Sequence, residues 1–332
     1  MFRRKYVFYA FCCLAIYFLY GLLLPYPWQS NKIQKSVSLL ECQYCFAMTA
    51  AGCDTLFFSS IQDDSVLTGL TSSPEKVKKK AYGSAFWYSP YPLLHLSQGR
   101  LLTTVDVASA DTIISTMQHD IRRLVITQES LTAKREAAIE KEESFLSYYM
   151  STHDIIDEGY NQMGRYEQDY RQMQEDMRKV CSTLKQLRNS DSILIFFVST
   201  YIVHSPIGTD SVVLQHDTCQ RISVKGNVVE LQTLSENNAK GYYSITPSVI
   251  NSMHLASDNS RKDAIMVTYN YGITHDTPLQ ELKVHNIQGK VWRSGGMYNT
   301  SIPVLKRAEG SPLFDKYGRL IGIVHRNNII PL

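Results

Sequence analysis

Arg307-Ala308-Glu309-Gly310-Ser311-Pro312-Leu313-Phe314-Asp315-Lys316-Tyr317-Gly318-Arg319-Leu320-Ile321-Gly322-Ile323-Val324 sets two apolar runs around the polar turn Asp315-Lys316-Tyr317-Gly318, the signal of a β-hairpin. A plain hairpin does not account for the Gly-Ser-Pro-Leu at its head. Gly310 there permits a positive φ and a close approach of one backbone to another. Upstream of this tail, from Ser190 onward, the chain reads as short strands separated by turns. Val212-Val213-Leu214, Arg221 to Val224, Val228 to Leu231, Ala264 to Tyr269 and Lys290 to Trp292 are the strand candidates, with Lys225-Gly226-Asn227 as a hairpin turn.

The tail resembles the nucleophile strand of trypsin-like serine peptidases, whose pattern is Gly-Asn-Ser-Gly-Gly-Pro-Leu, a short turn, then Gly-x-hydrophobic-hydrophobic-Gly-hydrophobic. In that register Glu309 stands at the nucleophilic serine, and Ser311 stands at the second glycine, where its side chain does not point at the site. A second stretch is similar in the same way. Gly83-Ser84-Ala85-Phe86 followed by Gly99-Arg100-Leu101-Leu102-Thr103-Thr104-Val105-Asp106-Val107-Ala108 follows the family's Gly-Ser-Gly-Phe and its histidine segment, with Asp106 at the general base. The resemblance implies a mainly β fold, a trypsin-like double β-barrel, in an inactive member of the family. Arg261 to Val267 loosely resembles the strand that carries the third member of the triad. Asp263 is its candidate, and a charged residue at a strand start is the simpler reading of it.

Acyl transfer needs a deprotonatable nucleophile beside a base that titrates near the working pH. Aspartate at 106 and glutamate at 309 supply neither in the usual way, so no catalytic residues and no cofactor are expected. Brought together, two carboxylates push one of the pair toward its neutral form. An acid/base dyad or a hard-metal site is therefore the alternative reading of the same two positions. The histidines, among them His204, His216, His254, His275, His285 and His325, keep a third reading open, a hydrolase built on other residues.

Arg3-Arg4-Lys5 precedes an unbroken apolar and aromatic run from Tyr6 to Leu24, about a bilayer core in length as a helix. The basic flank predicts a cytoplasmic N-terminus at residues 1–5. No small-x-small site follows the run, so an uncleaved anchor at residues 6–24 is preferred to a cleaved signal peptide. The bulk of the chain is then extracytoplasmic, in a single-pass protein of the cell membrane. Residues 25–80 read as a cysteine-containing stalk, residues 81–108 as the first strands of the barrel domain, and residues 190–332 as its remainder. Residues 81–108 and 190–332 together are short for two six-stranded barrels, which predicts short loops or one incomplete barrel. With the chain ending soon after Val324, no peptide-binding PDZ module is expected to follow.

The 332 residues are 44% hydrophobic and 20% charged with a formal charge of +3, which suits a globular core and does not suggest nucleic-acid binding. Outside the anchor, Cys42, Cys45, Cys53, Cys181 and Cys219 would face an oxidising compartment. Cys42-Gln43-Tyr44-Cys45 has redox-motif spacing but no βαβ context, and no second Cys-x-x-Cys completes a zinc site. A structural disulfide drawn from Cys42, Cys45 and Cys53 is the preferred reading, with its pairing open.

Residues 109–189 are nearly free of Gly and Pro and carry helical periodicity. Ile156, Met163, Tyr170, Met177 and Leu184 fall in one heptad row and Tyr166, Met173, Val180 and Leu187 in the other. The first half sets Met117, Leu124, Leu131, Ala138 and Phe145 against Ile114, Ile121 and Tyr149, with Gln128, Arg135 and Glu142 interrupting. Two helices joined near Ser151-Thr152-His153-Asp154 predict an antiparallel coiled-coil hairpin inserted in the first barrel. Its Met and Tyr stripe reads either as hairpin core or as a face for another helix. A protein partner, bound through the hairpin or the degenerate cleft, is the functional expectation, with a homo-oligomer or a structural tether of the envelope as further options.

Overall fold

The computed structural model of the protein describes residues 9, 11–16, 33–62, 66–91, 96–109, 111–206, 214–247, 260–269, 283–295, 297–305, 308–326 and 328–332. Strand β1 (Val37–Ala50) is followed by the short strands β2 (Leu56–Phe58), β3 (Ser60–Gln62) and β4 (Val66–Thr68), then by β5 (Lys79–Trp87) and β6 (Arg100–Thr104). Four helices come next: α1 (Val105–Ala108), α2 (Asp111–His119), α3 (Ile121–Thr152) and α4 (Tyr160–Arg188). The chain then returns to strands with β7 (Ile193–Pro206), β8 (Leu214–Lys225) and β9 (Val228–Thr233). The last six are β10 (Lys262–Thr268), β11 (His285–Ser294), β12 (Met297–Thr300), β13 (Pro312–Asp315), β14 (Leu320–His325) and β15 (Asn328–Pro331).

The strands form two closed six-stranded barrels. The first follows the order β1-β5-β6-β9-β8-β7 and closes through a β1–β7 pairing, with β2 added outside β1. The second follows β10-β11-β12-β15-β14-β13 and closes where β10 meets β13. Ile265 faces Phe314 in that closing pair. The hairpin turn at Gly226 has φ 58° and sits between β8 and β9, as its sequence requires.

By contact the chain divides into two compact units, residues 1–42, 81–109 and 200–332, and residues 43–80 and 110–199. In the first unit one apolar cluster takes residues from both barrels: Val37, Leu39, Phe86 and Leu102 pack with Val267, Tyr269, Phe314, Leu320 and Ile323. A second cluster, including Met266, Val291, Tyr298, Leu313 and Val324, fills the second barrel. The closing seam of the first barrel is polar at one point. Ser38 Oγ lies 2.7 Å from Ser205 Oγ and accepts the Trp87 indole N–H at 2.9 Å, so the buried indole nitrogen is satisfied as burial demands.

In the second unit, α2, α3 and α4 pack on one core with β2, β4 and residues of β1 and β7. Phe46, Phe58, Leu67, Leu124, Val125, Val180, Leu184 and Leu187 are its centre. Ion pairs Arg188–Glu129 (3.0 Å) and Arg171–Glu143 (3.7 Å) fix α3 and α4 as antiparallel. The insertion begins and ends at one place, because Gln118 donates to Ile193 O at 2.6 Å and accepts from Ile195 N at 3.0 Å.

Three expectations change. Residues 25–80 are not a stalk over their described part: β1 is a barrel strand buried along most of its length, and it supplies the strand that residues 81–108 and 190–332 lack. No disulfide joins Cys42, Cys45 or Cys53, since all seven cysteines are free thiols. Cys42 and Cys45 lie three residues apart on β1, about 10 Å along a strand, beyond the reach of a bridge. The heptad reading holds in part. Val180, Leu184 and Leu187 are core, but Tyr166 and Met173 are about half exposed, Phe145 and Ile156 more so, and Gln174 and Cys181 take the buried positions instead. The other row holds: Met163, Tyr170 and Met177 are half-buried and Leu184 is buried, so only the distal part of the second row turns out to solvent.

Most of the apolar run at residues 6–24 lies outside the described residues, as do His254 and His275; residues 11–16 are helical, with Phe11, Leu14 and Ile16 exposed. Among the described residues no helix is long and apolar enough to cross a membrane.

Leu184→Ala should lower unfolding stability by about 3 kcal/mol, the usual cost of emptying a buried leucine site, whereas Met173→Ala should stay within about 0.5 kcal/mol. Urea unfolding of the two variants checks this, and equal losses would return Met173 to the seam.

Candidate functional site

Both barrels of the first unit contribute to one cluster of charged side chains. β6 ends at Thr104, and Asp106 follows on the single turn of α1. Glu309 sits in the tight turn ahead of β13. His325 closes β14, and Arg326 follows it with φ 53°.

The backbone around Glu309 is held on every side. Its carbonyl accepts from Ser84 N on β5 at 3.0 Å, Gly310 N donates to Val324 O at 3.0 Å, and Val324 N donates to Ser311 O at 2.9 Å. Gly310 has φ 79°, and a Cβ on it would lie 2.1 Å from Ser84 O and 2.5 Å from Thr103 Oγ1. Only glycine fits there, which is the physical content of the Gly-Ser-Pro-Leu pattern. Gly83 plays a similar part opposite, where a Cβ would meet Val107 Cγ2 at 2.5 Å.

The side chains converge from these fixed points. Glu309, 5% exposed, accepts from Thr104 Oγ1 at 3.3 Å and from the Arg326 backbone N–H through its other oxygen. Asp106 is clamped by Arg326, with Nε 2.9 Å from Oδ2 and Nη2 3.2 Å from Oδ1. His325 Nδ1 lies 3.5 Å from Glu309 Oε2 and 3.7 Å from Asp106 Oδ2. One donor atom from each of Asp106, Glu309 and His325 lies within 4.8 Å of the other two. Burial pushes the Glu309 carboxyl above its ordinary range and the Asp106 charge adds to this, while the Arg326 N–H, His325 and the Thr104 hydroxyl act against both.

The structure therefore brings Asp106 and Glu309 together and leaves Asp263 out. Asp263 is exposed on β10 opposite Lys290. Thr104, the hydroxyl on Glu309, is fully buried. Ser311 is fully buried too, and its Oγ has no hydrogen-bond partner among the described residues. Sequence reasoning counted His325 as one histidine among nine and did not single out Arg326 or Thr104. The signal was the hairpin itself. Pro312 pairs with Ile323 and Leu313 with Gly322, and extending that register puts Arg326 opposite Glu309. A bulge between Leu313 and Phe314 shifts the count by one, so counting from the turn alone gives the wrong neighbour.

Because the folded Glu309 carboxyl takes its proton more readily than an unfolded glutamate, its contribution to stability is fully present below the ordinary value of 4.5. It is lost as pH rises through the higher folded value. Glu309→Gln should flatten the fall of stability over that window, read as urea midpoints at a series of pH values. Parallel slopes for wild type and variant would show that Glu309 does not carry the effect.

No protein family matches the sequence, and no curated protein matches it. Among solved structures, the chain is similar to a crystal structure of Deg5, with a TM-score of 0.37 and 11% identity over 91% of this chain and 85% of that one. It is also similar to the apo MamO protease domain from Magnetospirillum magneticum, with a TM-score of 0.25 and 12% identity over 40% of this chain and 71% of that one. The two-barrel architecture itself is read from this chain's own strand pairings.

Proposed function

We propose that this chain binds protein rather than hydrolysing it, as a membrane-anchored, extracytoplasmic module on a trypsin-like pair of barrels whose catalytic positions have become carboxylates. The observation that carries this reading is the state of Glu309. At the position of the nucleophile stands a buried carboxylate already engaged by Thr104 and the Arg326 backbone, and at the position of the base stands an aspartate clamped by Arg326. A carboxylate held as an acceptor by two donors is a poor nucleophile toward an amide. Gly83, Gly310 and the apolar positions around them keep the backbone of the site intact without that chemistry.

The helical hairpin offers the surface for a partner. Tyr166 and Met173 are seven residues apart on α4, hence on one face, and both are exposed. Aromatic and methionine side chains in such a position favour helix-on-surface recognition. A tether role in an envelope assembly uses the same face and differs only in what the partner does.

One preparation of the full chain in detergent tests both halves of the proposal. A fluorophosphonate probe should label no serine, and affinity capture from the host's own envelope extract should recover a specific protein that is reduced about tenfold when Tyr166 and Met173 are changed to serine, the loss of about 1.4 kcal/mol. Labelling at a single serine would instead make the chain a hydrolase using other residues, and capture indifferent to the two changes would remove α4 from the interface.

A further inference from the structure

We propose that Asp106, Glu309 and His325 form a binding site for one transition-metal dication of the zinc class, with His325 Nδ1, Glu309 Oε2 and Asp106 Oδ2 as its ligands. Two carboxylates near each other would not suffice for this. The independent observation is His325: the residue is 8% exposed, and its Nδ1 is buried and without a hydrogen-bond partner among the described residues. A buried imidazole nitrogen left unpaired is costly unless something else satisfies it.

The distances say what would satisfy it. Nδ1 to the two carboxylate oxygens measures 3.5 and 3.7 Å, too long for hydrogen bonds. Donors about 2.1 Å from a tetrahedral ion stand roughly 3.4 Å apart, so the two edges at His325 are near the size of a coordination face, and the third, between the carboxylates, is within 4.8 Å. It needs only a small closing movement of Asp106, the exposed member of the three.

The donor set selects the ion. One imidazole and two carboxylates suit zinc, manganese or ferrous iron, and the imidazole argues against magnesium or calcium. The surroundings supply the outer contacts such ligands need, since Thr104 and the Arg326 N–H orient Glu309 and the Arg326 guanidinium orients Asp106. Hydrogen-bonded partners of this kind fix ligand direction and raise affinity. A dication would also offset the mutual repulsion of the two carboxylates, which Arg326 answers only from the exposed side. Three protein ligands leave a fourth position open to water or to a partner's side chain.

The test uses the full chain in detergent, stripped of metal, and Zn²⁺ alone as the probe. Calorimetry should show one ion per chain. His325→Ala should weaken binding by about 100-fold or more, and Thr104→Val, which touches an orienting contact only, by about tenfold. Zn²⁺ should raise the unfolding temperature of the wild type and not of His325→Ala. Glu309→Gln, nearly isosteric, carries the same comparison if His325→Ala does not fold. Absence of stoichiometric binding, or binding equally tight in these variants, would overturn the site and assign any bound zinc to other histidines or thiols. The result is independent of partner capture, so either proposal can fail alone.

Discussion

Ser84 is the joint on which the arrangement depends. It is fully buried on β5 of the first barrel, and each of its polar groups is used. Its backbone N–H donates to Glu309 O at 3.0 Å, its carbonyl accepts from Thr103 Oγ1 at 3.0 Å, and its Oγ accepts from Tyr269 N at 3.0 Å and lies 3.3 Å from Thr268 Oγ1. Three of these contacts, to Glu309, Tyr269 and Thr268, reach residues of the second barrel region. A buried residue with all its groups paired across two sheets has one acceptable position, and that position sets where Glu309 can be. The apolar cluster shared by Phe86, Leu102, Phe314 and Ile323 supplies the bulk attraction, but it is non-directional. The serine supplies the register.

Much of this was readable before any coordinates. The resemblance carried by Gly83, Gly310 and the apolar positions beside them pointed to Asp106 and Glu309 as a pair, because glycine requirements are local and steric, and a steric requirement leaves its mark on the sequence. β1 was hidden for the opposite reason. Buried on both faces, it lacks the alternation that marks a half-exposed strand, and the Cys-x-x-Cys within it invited a different reading. One row of α4 failed in its distal half, because Gln174 is buried while Tyr166 and Met173 are not. His325 and Arg326 could not be placed without knowing of the bulge after Leu313.

The cluster keeps three formal charges and an imidazole in a small volume, with Glu309 and His325 both buried. Such an arrangement has to be balanced by the backbone, since the buried Glu309 cannot be turned to solvent without breaking the contacts that fix it. Arg326 is central to that balance, serving one carboxylate by its main chain and the other by its guanidinium. Its left-handed conformation, costly for a non-glycine residue, is what lets a single residue face both ways.

Gln118, bonded to both Ile193 and Ile195, gives the long insertion a kinetic meaning. Closing the first barrel requires β7 to find β1 across all the chain between Ala50 and Ile193, the helical excursion included, and a flexible excursion of that kind makes the search slow. Helices and their pairing form in microseconds or less. Once α3 and α4 have zipped and Gln118 has pinned the two ends of the excursion together, the chain between β6 and β7 behaves as a short connection, and β7 has far less chain to search through on its way to β1.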